Sequence, residues 1–418
     1  MAGDHLDQVI AAPVAVSAPS ALERALAKSA PPGTAFELQL PGERILTIGH
    51  GAVKFRVTAR NERAVSALKS LDEIRIAEAY LFGDLDIDGD LVAALDMRNS
   101  LTDKHLLAYL WSTYGQRLVY GQTARDKQWV SEHYDTDSDF YLTFLDKQFR
   151  CYSHGYFERE DESLESAIER KLTTAIKSAG IQPGMRVLDI GAGWGAFTEF
   201  AGKRGVEVTS LTISHESETY CNDLIRREGL PCQVVREHFL EYKTNQPFDA
   251  IVNLGVTEHL PDYEASLAQY RTLLRPGGRV YLDACSSRDK FPFSAFILKY
   301  IWPGNATPLH LPSYLQALAE TPLELLEIHN DRLSYMLTTR LWAENLDQQS
   351  TAVIERWGQL IYRRFRLYLW GCVQCFASDV VGAYRWMLQS PLHNANRTAL
   401  SRRTPGKIVG RMRKALHL

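Results

Sequence analysis

The sequence has no apolar run approaching the roughly 18 residues that a membrane-spanning helix needs. Its amino terminus carries Asp4 and Asp7 and lacks the basic start of a secretory signal peptide. The six cysteines are dispersed through 418 residues, which does not make a disulfide framework. From these absences we expect a cytoplasmic protein with reduced thiols and no spanning helix.

The composition is that of an ordinary globular protein, with 45% apolar and 23% charged residues. A chain of this length has room for two or three hydrophobic cores. The net charge of −3 is small, but residues 396–418 form a basic tail without any acidic residue. Such a tail is either drawn to an anionic lipid surface or is a solvated disordered segment. We expect peripheral contact with an anionic membrane, and nothing in the composition indicates nucleic acid.

Two short motifs imitate metal sites without completing them. Cys372 and Cys375 form a C-x-x-C pair, but no second pair stands at zinc spacing, so we interpret them as neighbours on one helix. The stretch Asp84–Gly89 has the alternating carboxylates of a calcium loop, yet its twelfth position is Leu95 and not glutamate. We expect no metal, and we predict a polar turn there, before a helix that begins near Leu91.

The apolar pattern divides the chain into four parts, the last of which is the basic tail. Residues 1–22, rich in Ala, Val, Pro and Ser, indicate a flexible leader. Residues 23–125 predict a small α+β domain, and residues 126–395 predict a larger α/β domain. In the small domain we expect an antiparallel sheet and two helices: strands Phe36–Leu40, Arg44–Ile48 and Val53–Ala59, and helices Glu62–Lys69 and Asp72–Leu81.

Strand patterns alternate with helical patterns in the larger domain, which predicts a doubly wound parallel sheet. Ligands of such sheets bind outside the carboxyl ends of the strands, where Glu237–His238 and Glu258–His259 are expected to converge. The expected strands are Val187–Ile190, Val206–Leu211, Gln233–Arg236, Ala250–Leu254 and Arg279–Ala284, with helices near Ser214–Arg227 and Asp262–Leu274.

The first of these strands runs into Gly191–Gly195, which we call the glycine loop. Its three glycines let the backbone turn sharply and approach a ligand where a Cβ would collide. The helix expected next, Phe197–Lys203, directs its N-terminal amides at an anionic group such as a ligand carboxylate. The segment therefore predicts a nucleotide-type cofactor seated against the loop.

The glycine loop also fits the dinucleotide pattern G-x-G-x-x-G/A, with Ala196 in the last position. The next strand, however, ends in Leu211–Ser214 and lacks the acidic residue that binds a ribose in dinucleotide enzymes. Asp189 stands two residues before the loop, and Trp194 lies inside it. These surroundings favour S-adenosylmethionine (SAM) over a nicotinamide or flavin cofactor.

Two other regions, Arg288–Ala319 and Asp347–Leu388, carry aromatic and aliphatic residues at helical spacing. They form either a helical core or an apolar tunnel for a long hydrocarbon. Their large side chains include Phe291, Phe293, Phe296, Tyr300, Trp302, Phe365, Tyr368 and Trp370.

Several segments spread over roughly residues 75–390 match one known family in order: Ala77–Tyr80, Gly83–Asp90, His133–Asp135, Asp139–Tyr141, Phe144–Asp146, Tyr152–Ser153, Gln182–Met185, the glycine loop, Leu211–Ser214, Glu258–His259 and Arg275–Gly278. With them the sequence resembles the cyclopropane-fatty-acyl-phospholipid synthases, which include the mycolic acid cyclopropane synthases. So many ordered matches extend well beyond a single nucleotide-binding motif.

The resemblance implies a class I SAM-dependent methyltransferase fold, with helical insertions that bind lipid, for residues 126–395. It implies that the substrate is a cis double bond in an acyl chain of a membrane phospholipid. The double bond takes the methyl group of SAM, and the resulting carbocation loses a proton from that methyl as a cyclopropane ring closes. The pocket must exclude water, which would quench the cation, and an aromatic face such as Tyr335 stabilises it.

The resemblance also assigns roles to single residues. Glu258 and Tyr335 match positions that hold a bicarbonate ion, the general base of the family. Cys372 matches a cysteine assigned to the active site, although a thiol has no evident task in this chemistry and a helix-packed free cysteine explains it as well. The implied cofactor contacts are Tyr152, Ser153, Asp189, Gly191, Ala192, Gly193, Trp194, Gly195, Thr212, Ser214, Ser217, Glu237 and His238.

Two residues depart from the family pattern. His154 stands where the family has a cysteine, and Asp283 stands where it has a histidine. A carboxylate beside bicarbonate is repulsive, strongly so in low dielectric. We hypothesise that the enzyme works without bicarbonate and that Asp283, or a relay of Asp283 and His154, removes the proton. A changed base would also allow a methylene or methyl branch as product instead of the ring.

The residues alone leave other interpretations open. Glu258 also fits a helix cap, Tyr335 a core tyrosine and Asp283 a loop carboxylate. A SAM enzyme that methylates a small molecule would use the same fold, and the two departures also fit a non-catalytic lipid-binding relative. The oligomeric state is open as well, a homodimer included.

Overall fold

The computed structural model describes residues 21–42, 45–101, 138–289, 294–302 and 308–392. The chain divides into two compact units, residues 1–102 and 103–418. The basic tail, His133–Asp135, Phe291 and Phe293 lie outside the described residues, and so does the expected leader except for its last two residues, which already belong to a helix.

The first unit is a four-stranded sheet with short helices, and it confirms the two predicted helices. Its elements are α1 (Ala21–Ser29), β1 (Thr34–Gln39), β2 (Ile45–Gly49), β3 (Ala52–Ala59), α2 (Glu62–Ser70), α3 (Glu73–Leu81), β4 (Leu85–Gly89), α4 (Leu91–Asp96) and a 3-10 turn, Met97–Ser100.

The order of the first sheet is β2-β1-β3-β4, so that β1 lies between two strands that follow it. β1 is antiparallel to β2, and β3 is antiparallel to β4, but β1 and β3 are parallel. The expectation of an antiparallel sheet is therefore wrong for that pair. The chain reverses after β1 and again after β2, which returns β3 to the direction of β1.

The stretch Asp84–Gly89 contains strand β4, so the prediction of a polar turn there is wrong. The period of two along the strand buries Leu85 and leaves the carboxylates on the other face, where Asp86 accepts a hydrogen bond from Arg60 at 2.6 Å. The spacing of the acids is thus the alternation of a strand. Helix α4 begins at Leu91, as predicted.

The second unit is an eight-stranded sheet with helices on both faces. Its strands are β5 (Arg186–Ile190), β6 (Glu207–Thr212), β7 (Cys232–Arg236), β8 (Phe248–Leu254), β9 (Leu274–Ser287), β10 (Leu309–His310), β11 (Glu324–Asn330) and β12 (Gly382–Gln389). Its helices are α5 (Ser138–Phe144), α6 (Leu164–Ala179), α7 (Ala196–Gly202), α8 (His215–Glu228), α9 (Tyr263–Leu273), α10 (Leu311–Ala319), α11 (Arg332–Gln348), α12 (Ser350–Trp357) and α13 (Gln359–Ala377), with a 3-10 turn at Thr257–His259 and a π-turn at Ile297–Ile301.

The order of the second sheet is β11-β12-β9-β8-β5-β6-β7, with β10 paired to β9. The neighbouring pairs from β9 to β7 are parallel, which confirms the predicted doubly wound sheet and its five strands. Successive residues of β5 enter different cores: Val187 packs with α6, α11 and α13, whereas Leu188 packs with α9 and α10. The strands that follow β5 in the chain are first added on one side of it, as β6 and β7, and then on the other side, as β8 and β9. The glycine loop begins directly at the carboxyl end of β5.

Three strands of the second unit, β10, β11 and β12, were not expected. The region Asp347–Leu388, predicted as helical, is helical only to Ala377, and its end is strand β12, which lies antiparallel between β9 and β11. Trp386, Met387 and Leu388 are all buried, so this strand shows no alternation of apolar and polar residues. Without that alternation, the sequence pattern does not separate a buried strand from a buried helix.

Within the described residues, no helix has the length and apolar character needed to cross a membrane. Cys372 and Cys375 lie on α13, as predicted, and no cluster of potential metal ligands occurs in the described part of the chain.

We predict that Gly49→Ala destabilises the first unit more than Gly83→Ala. Both glycines have positive φ, 90° and 79°, but a Cβ at Gly49 would lie 2.3 Å from the carbonyl oxygen of Thr34, whereas a Cβ at Gly83 meets nothing within 4 Å. Gly83→Ala should cost about 1–2 kcal/mol for its left-handed backbone, and Gly49→Ala should add the clash. Hydrogen exchange of the β1 and β2 amides measures the difference, and equal losses of protection would contradict it.

Candidate active site

The glycine loop follows a path that requires glycine. Gly191, Gly193 and Gly195 have φ of 87°, 52° and 78°. A Cβ on Gly191 would lie 2.4 Å from the Val256 side chain, and a Cβ on Gly195 would lie 2.5 Å from the Leu224 side chain. Neither position therefore has room for a side chain. A Cβ on Gly193 would meet nothing nearer than 4.0 Å. The middle of the loop therefore has free space beside it, as a ligand seat requires.

The end of strand β6 supports the loop. The amide of Ala192 donates to the carbonyl of Leu211 at 2.8 Å, and the Ser217 hydroxyl donates to the carbonyl of Gly193 at 2.7 Å. Ser214 caps α8 by accepting from the Ser217 amide at 3.2 Å. The structure thus brings the residues after β6, which the sequence assigned to the cofactor, against the glycine loop.

Thr212, Glu237 and His238 lie at the carboxyl ends of two neighbouring strands, β6 and β7. The Thr212 hydroxyl accepts from the Ser214 amide at 3.2 Å, and Nδ1 of the buried His238 accepts from the Leu240 amide at 3.2 Å. Glu237 is half-buried. These positions agree with the edge at which a doubly wound sheet binds ligands.

Asp189 accepts hydrogen bonds from the neighbouring strand and from helix α7. Its Oδ2 accepts from the hydroxyl of Ser210 at 3.0 Å and from that of Thr198 at 3.4 Å. Burial raises the pKa of Asp189 to about 7, although both hydrogen bonds oppose the shift. Asp189 therefore links β5 to β6 and to α7, next to the glycine loop.

Tyr152 and Ser153 are positioned by a turn that Asp146 organises. The buried Asp146 carboxylate accepts hydrogen bonds from the amides of Arg150, at 3.1 Å, and Cys151, at 2.7 Å. Burial raises the pKa of Asp146, against the effect of these amides. After this turn, Tyr152 lies on the side of the sheet that carries the glycine loop. The Tyr152 ring packs there on other aromatic rings.

Tyr152 belongs to a group of six side chains that we call the aromatic cluster: Phe140, Tyr141, Phe144, Tyr152, Trp342 and Phe365. Neighbouring rings lie between 4.5 and 6.2 Å apart, most of them edge to face. The ring of Tyr141 lies 6.2 Å from Trp194, so the cluster contacts the glycine loop directly. All of these rings belong to one hydrophobic core.

The sequence analysis missed Lys171, which lies against Asp283. Lys171 Nζ is 2.9 Å from Asp283 Oδ2 and donates to the Ser153 hydroxyl at 2.5 Å; both charged side chains are fully buried. Burial lowers the pKa of Lys171, but Asp283 and other neighbours outweigh it and the net shift is upward. The negative charge of Asp283 is thus compensated inside the protein. Its Oδ1 has no hydrogen-bond partner among the described residues.

Glu258 lies in the 3-10 turn after β8 and faces β9. Its Oε1 accepts from the Cys285 amide at 2.6 Å, while its Oε2 is buried and has no hydrogen-bond partner in the described ranges. Burial raises the pKa of Glu258 to about 7, with a smaller contribution from Asp283, while the Cys285 amide and Lys171 oppose the shift. Glu258 is therefore half ionised near neutral pH and has one oxygen available to accept a proton.

Tyr335 lies between two other rings. It stacks on His154 with a centroid distance of 4.5 Å and on Phe376 at 4.5 Å. Burial raises the pKa of Tyr335 well above its usual value, with further contributions from Cys285 and Glu258, so its hydroxyl stays protonated. The stack fixes the ring plane of Tyr335 next to the Glu258 carboxylate.

His154 is fully buried but does not pair with Asp283. Its Nε2 lies 3.7 Å from Oδ2 of Asp331, the residue that precedes α11, and neither ring nitrogen has a hydrogen bond within the described part of the chain. Asp283 is held instead by Lys171 and lies 3.4 Å from the Tyr156 hydroxyl. The two members of the hypothesised relay thus face different partners.

Cys372 lies one helical turn before Phe376 on α13. It contributes to the raised pKa of both Cys285 and Tyr368, so it lies beside this pair at the edge of the site. Tyr368 in turn lies 3.5 Å from Nε1 of Trp302. Cys372 therefore lies against the aromatic wall of the site.

The missed residues left different signals in the sequence. Lys171 is the one charged residue on the buried stripe of α6, among Ala167, Ile168 and Leu172. A lone cation in an apolar stripe predicts a buried partner. Asp331 gave no such signal, since it belongs to a polar loop before a helix.

A family model described as "Mycolic acid cyclopropane synthetase" matches residues 121–386 of the chain. The chain is 27% identical over 331 residues to a "Probable fatty acid methyltransferase" from Pseudomonas putida, which covers 76% of this chain and 82% of that protein. It is 25% identical over 341 residues to a "Sphingolipid C9-methyltransferase" from Candida albicans, which covers 77% of this chain and 66% of that protein.

Among solved structures, the chain resembles the mycolic acid cyclopropane synthase CmaA1 complexed with SAH and CTAB, with a TM-score of 0.59 and 27% sequence identity. The match covers 63% of this chain and 98% of that one. The sheet described above is therefore the class I SAM-dependent methyltransferase fold, as the sequence resemblance implied.

We predict that Lys171→Met destabilises the second unit by about 3–5 kcal/mol, because it leaves Asp283 buried and unpaired. The double variant Lys171→Met with Asp283→Leu should recover most of the loss, since it removes both charges. Urea unfolding of the full-length protein measures the two effects. A single variant as stable as the wild type would show that the pair does not form.

Proposed function

The chain belongs to the mycolic acid cyclopropane synthetase family, and we propose that it methylates the double bond of an unsaturated acyl chain in a membrane phospholipid. It is a SAM-dependent methyltransferase that acts on lipids, in line with its relatives. The phospholipid, the proton acceptor and the product are the parts of this account that we propose.

The observation that carries the proposal is the contact between the glycine loop and the aromatic cluster. Trp194 of the loop is buried between Tyr141, at 6.2 Å, and Tyr220, at 5.6 Å. A methyl donor held by the loop would therefore face an apolar interior and not bulk water. Such an interior favours a hydrocarbon over a polar small molecule as the acceptor.

The shape of the glycine loop fits SAM. Neighbouring side chains fill the space beside Gly191 and Gly195, whereas the space beside Gly193 is free for a ligand. When bound, SAM supplies a methyl group on a positively charged sulfur. The helix α7 begins at Ala196, and its first amides would hold an anionic group of the cofactor. We propose that Tyr152, Ser153, Thr212, Glu237 and His238 complete the contacts of the cofactor.

The aromatic cluster and the Tyr335 stack have two tasks in this reaction. Their rings exclude water, which would add to a carbocation on the acyl chain. The face of an aromatic ring also attracts a cation within about 6 Å of its centre. Because His154 and Phe376 hold Tyr335 on both sides, its ring edge and hydroxyl stay in one place.

We assign the removal of the proton to a carboxylate of this chain, and we favour Glu258. Its Oε2 is buried without a hydrogen-bond partner among the described residues, and its pKa of about 7 matches a base that works near neutral pH. Asp283 is the second candidate, with a free Oδ1 and with Lys171 on its Oδ2. Two carboxylates in one pocket disfavour a bound bicarbonate.

The product depends on where the positive charge lies when the proton leaves. Loss of a proton from the new methyl group of the initial cation closes a cyclopropane ring, whereas a hydride shift that first moves the charge to the methylated carbon makes the same loss form a methylene group. Because the groups around the proton acceptor differ from the family pattern at His154 and Asp283, we keep both products in the proposal. The two have the same mass, and only the methylene gives olefinic NMR signals.

We expect the full-length enzyme to transfer label from SAM to the acyl chains of dioleoylphosphatidylglycerol vesicles and to sediment with them. Dipalmitoylphosphatidylglycerol vesicles, which lack a double bond, should remain unlabelled. Removal of bicarbonate from the buffer should leave the rate unchanged. Proton NMR of the isolated chain then identifies the product.

Each part of this assay can fail separately. Labelling of free oleate but not of vesicles would refute the phospholipid substrate. Loss of activity without bicarbonate would refute the carboxylate base. Absence of label from every unsaturated lipid would refute the proposed function.

We predict that Glu258→Gln lowers kcat by about 10²- to 10⁴-fold, as expected for loss of a general base. In the wild type, kcat should rise with pH through about 7, because Glu258 must be ionised to accept a proton. Asp189 titrates in the same range, so Asp189→Asn is the matched control and should keep this rise. A rise that survives in Glu258→Gln, or a larger loss in Asp283→Asn, would assign the base elsewhere.

A further inference from the structure

A chain of polar side chains leads from His154 to the surface. Asp331 Oδ2 lies 3.7 Å from Nε2 of the buried His154, and Asp331 Oδ1 lies 3.1 Å from Nδ1 of His329. His329 is 61% exposed, whereas the carboxylate between the two imidazoles is 4% exposed. The three side chains therefore join the interior beside Tyr335 to solvent.

The outer end of this chain opens into a cleft of about 600 Å³. His329, Asp331, Arg385 and Tyr156 are among its lining residues. Arg385 lies 3.4 Å from Asp331 and over the ring of Tyr156, at 4.4 Å. The cleft is polar, unlike the aromatic interior on the other side of His154. Water that fills the cleft can therefore accept a proton without entering the aromatic cluster.

We propose that His154, Asp331 and His329 carry the reaction proton from the closed pocket to the water of this cleft. The inference rests on the proposed function, because every turnover of that reaction releases one proton into a pocket that excludes water. A base that kept its proton could not serve a second turnover.

A C–H bond of the methylated cation breaks, its electron pair forms the new carbon–carbon bond, and the proton passes to the carboxylate base. In the proposed path the proton then moves to Nδ1 of His154, and the Nε2 proton of His154 passes to Asp331 Oδ2. Rotation of the Asp331 carboxyl group brings that proton to Nδ1 of His329, which releases its Nε2 proton to water. The distance of 3.7 Å exceeds a hydrogen bond, so the His154 ring must shift by under about one ångström.

The charges around Asp331 keep it ionised. Burial raises its pKa, but His154, Arg385 and His329 outweigh burial and the net shift is downward. The other polar route from the pocket runs from Asp283 to the hydroxyls of Tyr156 and Tyr281, which are 2.5 Å apart and both buried. Burial raises the pKa of both tyrosines, so neither hydroxyl ionises to pass a proton on.

The test counts modified acyl chains per enzyme with time, using full-length protein, SAM and dioleoylphosphatidylglycerol vesicles. We expect His329→Ala and Asp331→Asn to form about one product per enzyme at the wild-type rate and then to slow on the order of 10²-fold, the low end of proton-transfer effects. Added imidazole should restore the rate of His329→Ala but not that of Asp331→Asn. His50→Ala, at an exposed turn of the first unit, is the matched control and should behave as the wild type.

Two results would overturn the inference. Continuous turnover of both variants at the wild-type rate would show that the proton leaves elsewhere. An equal slowing of the first and later turnovers, without rescue by imidazole, would show that these residues support structure or binding. An inactive wild type would contradict the proposed function itself, and the relay with it.

Discussion

The ion pair between Lys171 and Asp283 is the interaction on which the site depends. A pocket that tolerates a carbocation must be closed to water, yet it must also contain ionisable groups that remove a proton. Charges in such a place are expensive unless each has a partner. Lys171 and Asp283 meet that requirement at 2.9 Å with both side chains fully buried, and Lys171 also fixes Ser153. Glu258 lies beside them, and its Oε2 has no direct partner among the residues that the structure describes.

The second constraint is the shared core of cofactor loop and substrate pocket. Trp194 belongs to the glycine loop and to the hydrophobic core that contains the aromatic cluster. A cofactor site and an apolar pocket that share packed side chains keep a fixed distance, because interiors are close-packed and deform little. The contribution of α5, α11 and α13 to that core explains why these helices belong to the site.

The sequence predicted the parts of the fold that depend on local pattern. The strand–loop–helix around Gly191–Gly195, the alternation of strands and helices, and the convergence at the carboxyl ends of the strands all follow from short-range rules. Strand β12 was missed because burial on both faces removes the alternation that marks a strand. Strand β4 was missed because its acids suggested a turn, whereas a free edge of β3 pairs with it.

The site was predictable in its residue types but not in its pairings. Glu258, Tyr335, Asp283 and His154 could be named from the sequence, but their partners come from distant segments. Asp283 pairs with a lysine more than 100 residues earlier, and His154 pairs with Asp331, so the relay between them could not be judged from the sequence alone.

The most direct test of the account is a crystal structure of the enzyme with S-adenosylhomocysteine and a phospholipid that carries oleoyl chains. We predict that the double bond lies within van der Waals contact of Tyr335, between the glycine loop and the Glu258 carboxylate, with no ordered water beside it. An acyl chain bound outside the aromatic cluster, or a row of water molecules along Tyr335 and Glu258, would contradict the central claim.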